Sequence, residues 1–472
     1  MSDYDIIIVG GGGAGMTAAL HAHRVGATVL LLEADRKLGG ATALSDGVVY
    51  AAGTSVQRAH GIEDDPQAMF DYIMTLNAWQ TRPDIIRLLA ERSAAAVDEL
   101  IALGCTFEWV VKSGVDLVPR GHCTVGAGDA IGRALREEVG AKGIETVLDT
   151  RVERLLVEDG RVVGIHASGM DLRAGAVIVT TGGFGNSPGM RARYFPSAAQ
   201  HGDPVYAVHN GAPFILGDGL KFGEMIGAAI VGHDTGLVIA SSGLVPNVVE
   251  AYLPPWIMLV NVRGQRFMPE NAPYAVSGYL INQQPEARAW ALFDESALAV
   301  GSQDKSFSNP YHTGYSTQVW DEAVLRKHIA TGRIRSADTL EELAERTNVD
   351  ALALKETVTR YNADAICGTD SDWGKVAPHY FPLENAPFYA AEVRASTIGQ
   401  TSAGLDIDHH TRVRDLHGRV IPGLFAAGET VGCVQGQRYS GGGMGVASAL
   451  VFGRLAGEQA AASIGIEARV AA

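Results

Sequence analysis

The chain has 472 residues, of which 47% are hydrophobic and 19% are charged, and its formal net charge is -15. This length exceeds what one hydrophobic core normally serves and predicts two domains. The acidic balance disfavours nucleic acid and anionic membrane surfaces as general partners, although one local arginine can still hold an anionic substrate.

Four cysteines occur and none stands in a CxxC pair: Cys105, Cys123, Cys367 and Cys433. This pattern predicts reduced thiols rather than a disulfide framework, a structural zinc site or a dithiol redox motif. No group of His, Asp and Glu has metal-ligand spacing, so no metal is expected. The chain begins without a signal-peptide pattern and has no apolar run of about 18 residues, which predicts a soluble cytoplasmic protein without stable membrane insertion.

The first fifty residues predict a dinucleotide-binding fold. A short apolar run at 6–9 is typical of a buried parallel strand, and a glycine-rich segment follows at 10–15. Residues 16–24 have helical spacing, and a second apolar strand at 29–32 ends at Glu33. Strand, glycines, helix, strand and acid in this order form the dinucleotide arrangement.

Each glycine of the GxGxxG pattern has a physical task. Gly10 allows the tight turn, Gly12 lets the backbone approach a pyrophosphate, and Gly15 lets the helix pack against the strand. The helix N-terminus offers free N–H groups and a positive dipole end to the phosphates. Glu33 stands at the right distance to bind a pair of ribose hydroxyls.

A second glycine-rich loop follows Glu33 and contains Gly39-Gly40-Ala41-Thr42. It resembles the Gly-Gly-x-Thr/Ser loop of two-dinucleotide-type flavoproteins, which runs along the pyrophosphate towards the flavin ring. NAD-only dehydrogenases do not usually have this loop. The likeness therefore favours FAD over NAD.

The remaining motifs follow in a fixed order. They are a hairpin over 152–165 with its turn at Asp159-Gly160, a buried strand entering a glycine turn over 176–185, a helix after 216–219 that ends near Gly227, Gly428-Glu429 within 423–429, Tyr439 to Gly443, and a helical segment at 451–457.

Together these motifs resemble the flavoprotein family of soluble fumarate reductases and 3-ketosteroid dehydrogenases, over essentially the whole chain. The resemblance implies an α/β fold with a discontinuous Rossmann-like FAD-binding domain, residues 1–235 and 385–472. An α+β capping domain, residues 236–384, is inserted into it. FAD is expected to be non-covalent, because 39–47 contains no histidine where some relatives attach it.

The resemblance also assigns positions around the cofactor. Glu429 matches the carboxylate that meets the ribityl chain, and a helix that includes 452–457 directs its N-terminal end to the flavin pyrimidine edge. The residues expected to contact FAD are Gly10, Gly12, Gly13, Ala14, Gly15, Glu33, Ala34, Lys37, Gly39, Gly40, Ala41, Thr42, Ser45, Gly47, Val152, Thr181, Gly182, Gly183, Asp218, Gly428, Glu429, Gly443, Ser448, Ala449 and Leu450.

The residues with which fumarate reductases handle a dicarboxylate are absent. Their acid arginine follows a Gly-x-Arg-Phe-x-Asn-Glu segment, matched here by 264–270, and its position is taken by Tyr274. Their histidine and their C-terminal arginine, which grip substrate carboxylates, correspond to Gln400 and Ser440. Three such replacements argue against fumarate as the substrate.

The same positions resemble the ketosteroid dehydrogenases. Tyr274 matches their catalytic tyrosine, and Tyr439 with the Gly443 N–H matches the pair that holds the substrate ketone. The tyrosine that assists the base in the 1-dehydrogenases has no counterpart near 107–109, which leaves the position of desaturation open.

These residues predict desaturation of a cyclic ketone, with 3-ketosteroids as the first substrate class. Tyr439 and Gly443 polarise the ketone, Tyr274 removes the α-proton as a phenolate, and the β-hydride goes to flavin N5. Arginine suits the proton-removing role poorly, because it is almost never deprotonated.

Several alternatives stay open. Arg438 is a surface or flavin-facing residue, or else it binds the carboxylate of a smaller substrate such as 4-oxocyclohexanecarboxylate. Cyclohexanone is another small candidate. A fumarate reductase-like reductase of unsaturated acids and a non-catalytic flavin-binding protein are the other classes. His122, His233 and Asp234 have no recognisable spacing and are expected to be structural. The electron acceptor is left undetermined.

Overall fold

The computed structural model describes residues 3–202, 206–207, 214–246, 248, 250, 252–303, 307, 311, 319–375, 380–432 and 434–466. The chain divides into two compact units. The first comprises 1–199, 209–236 and 400–472, and the second comprises 200–208 and 237–399.

The strands of the described chain are β1 (Tyr4–Val9), β2 (Val29–Leu32), β3 (Val48–Tyr50), β4 (Phe107–Val111), β5 (Gly121–Thr124), β6 (Glu145–Val147), β7 (Val152–Glu158), β8 (Arg161–Ala167), β9 (Met170–Val179), β10 (Tyr206–Ala207), β11 (Ile230–Val231), β12 (Gly236–Ser241), β13 (Met258–Val260), β14 (Arg288–Asp294), β15 (Arg335–Ala337), β16 (Phe388–Thr401), β17 (Gly404–Leu405), β18 (Arg412–Arg414) and β19 (Val420–Ala426).

Its α-helices are α1 (Gly13–Arg24), α2 (Gly40–Leu44), α3 (Ser55–Ala59), α4 (Pro66–Leu76), α5 (Pro83–Ala102), α6 (Ala127–Ala141), α7 (Pro188–Tyr194), α8 (Pro196–Ala199), α9 (Asp218–Ile226), α10 (Tyr274–Asn282), α11 (Glu295–Gly301), α12 (Glu322–Ala330), α13 (Leu340–Thr347), α14 (Ala351–Cys367) and α15 (Met444–Ser463). Short 3-10 turns occur at Pro285–Ala287 and Gly428–Thr430.

The first unit is built on an eight-stranded sheet. Its central order is β18-β19-β9-β1-β2-β6, and the hairpin of β7 and β8 joins β9. β1 pairs in parallel with β2 and β9, and β9 pairs in parallel with β19. Such buried parallel strands form a Rossmann-like α/β sheet, so the predicted fold class is confirmed.

Three local features of this unit have a basis in the sequence. The β7–β8 hairpin turns at Asp159 and Gly160, both at positive φ (49° and 76°), as a type I′ turn requires. Helices α1 and α15 pack closely at small residues, since a Cβ added to Gly453 would lie 2.5 Å from the Ala14 carbonyl oxygen. Helix α9 ends at Gly227 in the left-handed conformation, at the predicted place.

The second unit is a mixed α+β structure. Its six-stranded sheet has the order β10-β16-β14-β13, and β12 and β15 also pair with β16. One core of this unit contains Trp256, Phe293 and Trp320, and another contains Tyr361 and Tyr380. Helices α10 to α14 belong to this unit.

The C-terminal boundary of the second unit differs from the predicted one. We placed the end of the inserted domain at residue 384, but β16 begins at Phe388 and pairs with β14 and β15 as far as Arg394. The second unit therefore extends to residue 399. A single strand of 14 residues crosses this region, and no loop signal in the sequence marks where it passes from one unit to the other.

Candidate active site

The glycine turn after β1 has the geometry of a dinucleotide site. Gly10 has a φ of +106°, and a Cβ on Gly15 would lie 1.8 Å from the Gly10 carbonyl oxygen. Gly12 is different, because a Cβ added there would meet no protein atom within 4 Å. Two glycines thus close the turn on itself, whereas the third leaves space for a ligand beside the start of α1.

Glu33 lies where β2 ends, as predicted. Its carboxylate accepts the Gly11 N–H at 2.6 Å and the Asp35 N–H at 2.8 Å. Burial raises the pKa of this carboxyl, and the two N–H groups oppose that shift. The acid is therefore held beside the glycine turn, at the place where ribose hydroxyls are expected.

The second glycine loop packs against the first. A Cβ on Gly13 would lie 2.5 Å from Thr42 Oγ1, so this hydroxyl sits against the start of α1. Ser45 Oγ donates to the Thr42 carbonyl and accepts the Gly47 N–H. Lys37 is exposed, whereas the other predicted residues of this loop are not.

A third group of predicted residues surrounds Glu429. The Glu429 carboxylate accepts hydrogen bonds from the Thr401 N–H and hydroxyl, both at 2.8 Å and both on Oε1. A Cβ on Gly183 would lie 2.3 Å from this same oxygen. Thr181 accepts the Gly219 N–H at 2.9 Å nearby in the fold. Burial raises the pKa of Glu429, and the bonds from Thr401 oppose that rise.

Three further residues are predicted to contact FAD. Asp218 forms an ion pair with Arg151 at 2.7 Å and also accepts a hydrogen bond from Lys221. Val152 is buried at the start of β7. Ala34 is half-buried directly after Glu33.

The final helix begins at Met444, directly after Gly443, which has a φ of +100°. Ser448, Ala449 and Leu450, which are predicted to contact FAD, therefore lie in the second turn of this helix. The free N–H groups belong to the residues next to Gly443. The Gly-Gly-Gly-Met sequence carries no capping side chain that would have marked this start.

Tyr439 reaches this helix end. The backbone N–H groups of Gly443, Met444 and Gly445 lie beside its hydroxyl. Burial raises the pKa of Tyr439 well above its ordinary value, the nearby Glu429 raises it further, and the three N–H groups act against both. The structure thus brings Tyr439 and Gly443 together, and the side-chain amide of Gln400 lies against Gly445.

Hydrogen bonds from distant parts of the first unit hold the loop that carries Tyr439 in place. The Tyr72 hydroxyl donates to the Ser440 carbonyl at 2.7 Å, and the Gly442 N–H donates to the Ser113 carbonyl at 2.8 Å. The Tyr50 N–H donates to the Gly443 carbonyl at 3.3 Å. Sequence reasoning missed these residues, since Tyr50, Tyr72 and Ser113 are hundreds of positions away and share no motif with the loop.

Tyr274 belongs to the second unit and is the first residue of α10. Its side chain is buried among the rings of Tyr252 and Tyr311, at centroid distances of 5.3 and 6.4 Å. Arg266 belongs to the 264–270 segment that precedes Tyr274, and it forms buried ion pairs with Glu270 and Asp370. Arg266 is therefore a structural residue.

The remaining candidates have ordinary structural roles. The Arg438 guanidinium donates to the Leu76 carbonyl and its backbone N–H donates to Asn77. His122 is buried and bonds Thr54, and His233 packs on a tyrosine ring. The Asp234 carboxylate accepts the Ser197 N–H at the start of α8. The expectation that these two histidines and Asp234 are structural agrees with these contacts.

Within the described part of the chain, no three His, Cys, Asp or Glu side chains are grouped so as to hold a metal ion. Cys105, Cys123 and Cys367 are free thiols, and Cys433 lies outside the described residues. No described helix is both long and apolar enough to cross a membrane.

The residues present fit an FAD. Gly12 faces open space at the start of α1, Glu33 stands at the end of β2, and the second oxygen of Glu429 is left for a ligand hydroxyl. Over residues 5–446 the chain matches the family described as FAD binding domain. The chain belongs to this family. As a member of the FAD binding domain family, the protein is an FAD-dependent oxidoreductase.

The relatives that this chain matches include reductases and steroid dehydrogenases. Fumarate reductase (cytochrome) from Shewanella frigidimarina is 32% identical over 97% of this chain and 74% of its own length. 3-Oxosteroid 1-dehydrogenase from Mycolicibacterium smegmatis is 26% identical over 98% of both. A solved structure, 3-ketosteroid-Δ4-(5α)-dehydrogenase from Rhodococcus jostii RHA1 with 4-androstene-3,17-dione, matches with a TM-score of 0.78 and 27% identity over 98% of both chains.

Proposed function

We propose that this protein desaturates a cyclic ketone next to its carbonyl group, with 3-ketosteroids as the first substrate class. The observation that carries the proposal is the tyrosine at position 274, where fumarate reductases carry an arginine. A phenolate can accept an α-proton, whereas a guanidinium is almost never deprotonated. Gln400 and Ser440 replace the two carboxylate-binding residues, which also favours a neutral substrate.

In this proposal Tyr439 and the Gly443 N–H hold the ketone oxygen. The Tyr439 hydroxyl lies beside the N–H groups at the start of α15, so a developing enolate oxygen bound there would find hydroxyl and amide donors. Tyr274 removes the α-proton, and the N-terminus of α10 favours negative charge on its oxygen. Bound FAD supplies the hydride acceptor.

Other residues of this chain would hold FAD. Gly12 and the start of α1 would bind its pyrophosphate, Glu33 its ribose and Glu429 its ribityl chain. Thr42 and Ser45 would line the path between them. These assignments rest on the open glycine turn, on the buried position of Glu33 and on the half-buried position of Glu429.

A smaller alicyclic ketone, such as cyclohexanone or 4-oxocyclohexanecarboxylate, is the alternative substrate for the same chemistry. A second function has specific support. A reductase of unsaturated acids is favoured by the 32% identity to a cytochrome fumarate reductase.

Turnover with an artificial electron acceptor separates these functions. The purified holoenzyme is incubated with phenazine methosulfate and a 3-ketosteroid, cyclohexanone or 4-oxocyclohexanecarboxylate, and the product is identified by mass spectrometry. We expect one ketone to lose two hydrogen atoms. If no ketone is converted and reduced enzyme instead hydrogenates fumarate or another enoate, the proposal is wrong and the reductase function is correct.

A further inference from the structure

The second unit contains a cluster of three tyrosines around the proposed base. The ring centroids of Tyr252 and Tyr274 are 5.3 Å apart, and Tyr311 lies 6.3 Å from the first and 6.4 Å from the second, all in edge contact. The hydroxyls of Tyr252 and Tyr311 are 3.2 Å apart. Tyr311 is also hydrogen-bonded to Tyr274. The three hydroxyls therefore form one continuous chain.

We propose that Tyr311 and Tyr252 relay away the proton that Tyr274 receives from the substrate. The inference rests on the proposed function, because it assigns a path to the proton of that reaction. Tyr311 and Tyr252 are positioning and relay residues here, and Tyr274 alone touches the reacting atoms.

Burial makes such a path necessary. Tyr274 and Tyr311 are each only 6% exposed, so a proton on Tyr274 has little access to bulk water. Tyr252 is half-buried and is the most exposed of the three tyrosines. Burial and the two neighbouring tyrosines raise the pKa of Tyr311 well above its ordinary value. Tyr311 therefore stays neutral and passes a proton on rather than holding a charge.

The relay balances without a further reactant. As the α-carbon C–H bond breaks, its proton joins the Tyr274 phenolate oxygen, and Tyr274 then passes a proton to Tyr311. The Tyr311 proton passes to Tyr252, and the Tyr252 proton leaves to water. The electron pair of the broken C–H bond forms the new C=C bond as the β-hydride leaves to FAD. A hydroxyl can donate and accept at once, which is what each step requires.

The relay explains how this chain works without the assisting tyrosine of the 1-dehydrogenases. Residues 107–109 contain no tyrosine, whereas the second unit supplies two beside Tyr274. No local pattern marks them, since Tyr252 and Tyr311 stand 22 positions before and 37 positions after Tyr274 in the sequence.

Exchange of substrate α-protons with deuterium tests the relay apart from hydride transfer. The holoenzyme is first reduced with dithionite, so that FAD accepts no hydride, and is then mixed in D₂O with cyclohexanone or 4-androstene-3,17-dione. Loss of the α-proton signal is followed by NMR, with the rate in buffer subtracted. Each variant is checked for bound FAD by its absorbance spectrum and for folding by its melting temperature.

We expect Tyr274→Phe to abolish the enzyme-dependent exchange. Tyr311→Phe, which keeps the ring but removes the hydroxyl, should slow it at least ~10-fold while KM for the ketone stays unchanged. Tyr252→Phe should slow it in the same direction. Tyr389→Phe is the matched control, because Tyr389 is a buried tyrosine of the same unit whose hydroxyl bonds Glu295 outside the cluster.

The outcomes separate the relay from the proposed function. Exchange by Tyr311→Phe at the wild-type rate would overturn the relay and leave the ketone chemistry intact. Absence of exchange in the wild-type protein with both ketones would contradict the proposed function itself. The solvent isotope effect gives a second measurement: it should fall in Tyr311→Phe, which a purely structural role of this hydroxyl would not cause.

Discussion

By the resemblance to the fumarate reductases, the phenol of Tyr274 takes the position of their acid arginine. A guanidinium donates protons and keeps its charge, whereas a phenol can cycle between both protonation states near its pKa of about 10. Tyr274 has its side chain at the start of α10 and hydrogen-bonded to Tyr311. Both features favour a proton acceptor at this position.

Removing this phenol oxygen should stop proton abstraction without releasing the cofactor. We expect Tyr274→Phe to lower the rate of ketone-dependent flavin reduction by about 10²–10⁴-fold, the usual contribution of a general base. Stopped-flow absorbance measures the rate, and the visible spectrum reports bound FAD. A variant that keeps the wild-type rate would show that another group removes the proton.

The ionisation of Tyr439 gives a prediction about pH. Burial raises the pKa of Tyr439 above its ordinary value, so the hydroxyl keeps its proton to higher pH than a free tyrosine. We therefore expect kcat/KM to show no loss from Tyr439 ionisation as pH rises from neutral to about 10. Tyr439→Phe should lower kcat by about 10²–10³-fold, as for loss of an oxyanion donor. An alkaline loss below pH ~9 that disappears in this variant would contradict the assignment.

At the scale of elements, the turn after β1 contains one glycine that the fold requires and one that a ligand requires. Gly15 is needed by the protein itself, because a Cβ there would collide with the Gly10 carbonyl. Gly12 has an ordinary φ of -72° and no protein atom near its open face, so only a ligand needs its small size.

These two glycines form a matched pair for mutation. Gly12→Ala should leave the melting temperature of the FAD-free protein within about 1 °C and lower FAD affinity at least ~10-fold. Gly15→Ala should lower that melting temperature by several degrees, because the backbone must move. Calorimetry and quenching of flavin fluorescence supply the two measurements. Equal FAD affinity in Gly12→Ala and wild type would show that the pyrophosphate lies elsewhere.

Elements with a local signal were predictable from the sequence, and those set by distant partners were not. The β1–α1–β2 unit followed from hydrophobic runs and glycines, and the β7–β8 turn followed from Asp159-Gly160. The start of α15 at Met444 was missed, because three glycines precede it without a capping side chain. The tyrosine cluster was also missed, since only the folded second unit brings Tyr252 and Tyr311 to Tyr274.

At the scale of the whole molecule, different interactions stabilise the two units. The first is held by a parallel sheet and by the close packing of α1 on α15. The second contains a buried charge network in which Arg266 joins Glu270 and Asp370, and Lys375 lies 3.3 Å from Glu270. Burial lowers the pKa of Lys375 to about 8, against the opposing effect of Glu270.

Breaking this network should destabilise the second unit. Arg266→Met removes the cation that joins the two buried carboxylates and leaves Glu270 with Lys375 alone, and we expect a loss of about 3–5 kcal/mol in the free energy of unfolding. Urea unfolding followed by circular dichroism measures it. Arg360→Met is the control, because Arg360 pairs with Asp372 at the surface of the same unit and should cost under about 1 kcal/mol. Similar losses in both variants would contradict a structural role for the buried network.

The measurement that tests the proposed activity most directly is anaerobic reduction of the bound flavin. The oxidised holoenzyme is mixed with a 3-ketosteroid, cyclohexanone, 4-oxocyclohexanecarboxylate and succinate in turn, and absorbance is followed near ~450 nm, where oxidised flavin absorbs. We predict bleaching by a ketone, and not by succinate, that is lost in Tyr274→Phe. Bleaching by none of the ketones, together with reoxidation of the dithionite-reduced protein by fumarate or another enoate, would contradict ketone desaturation and identify a reductase of unsaturated acids.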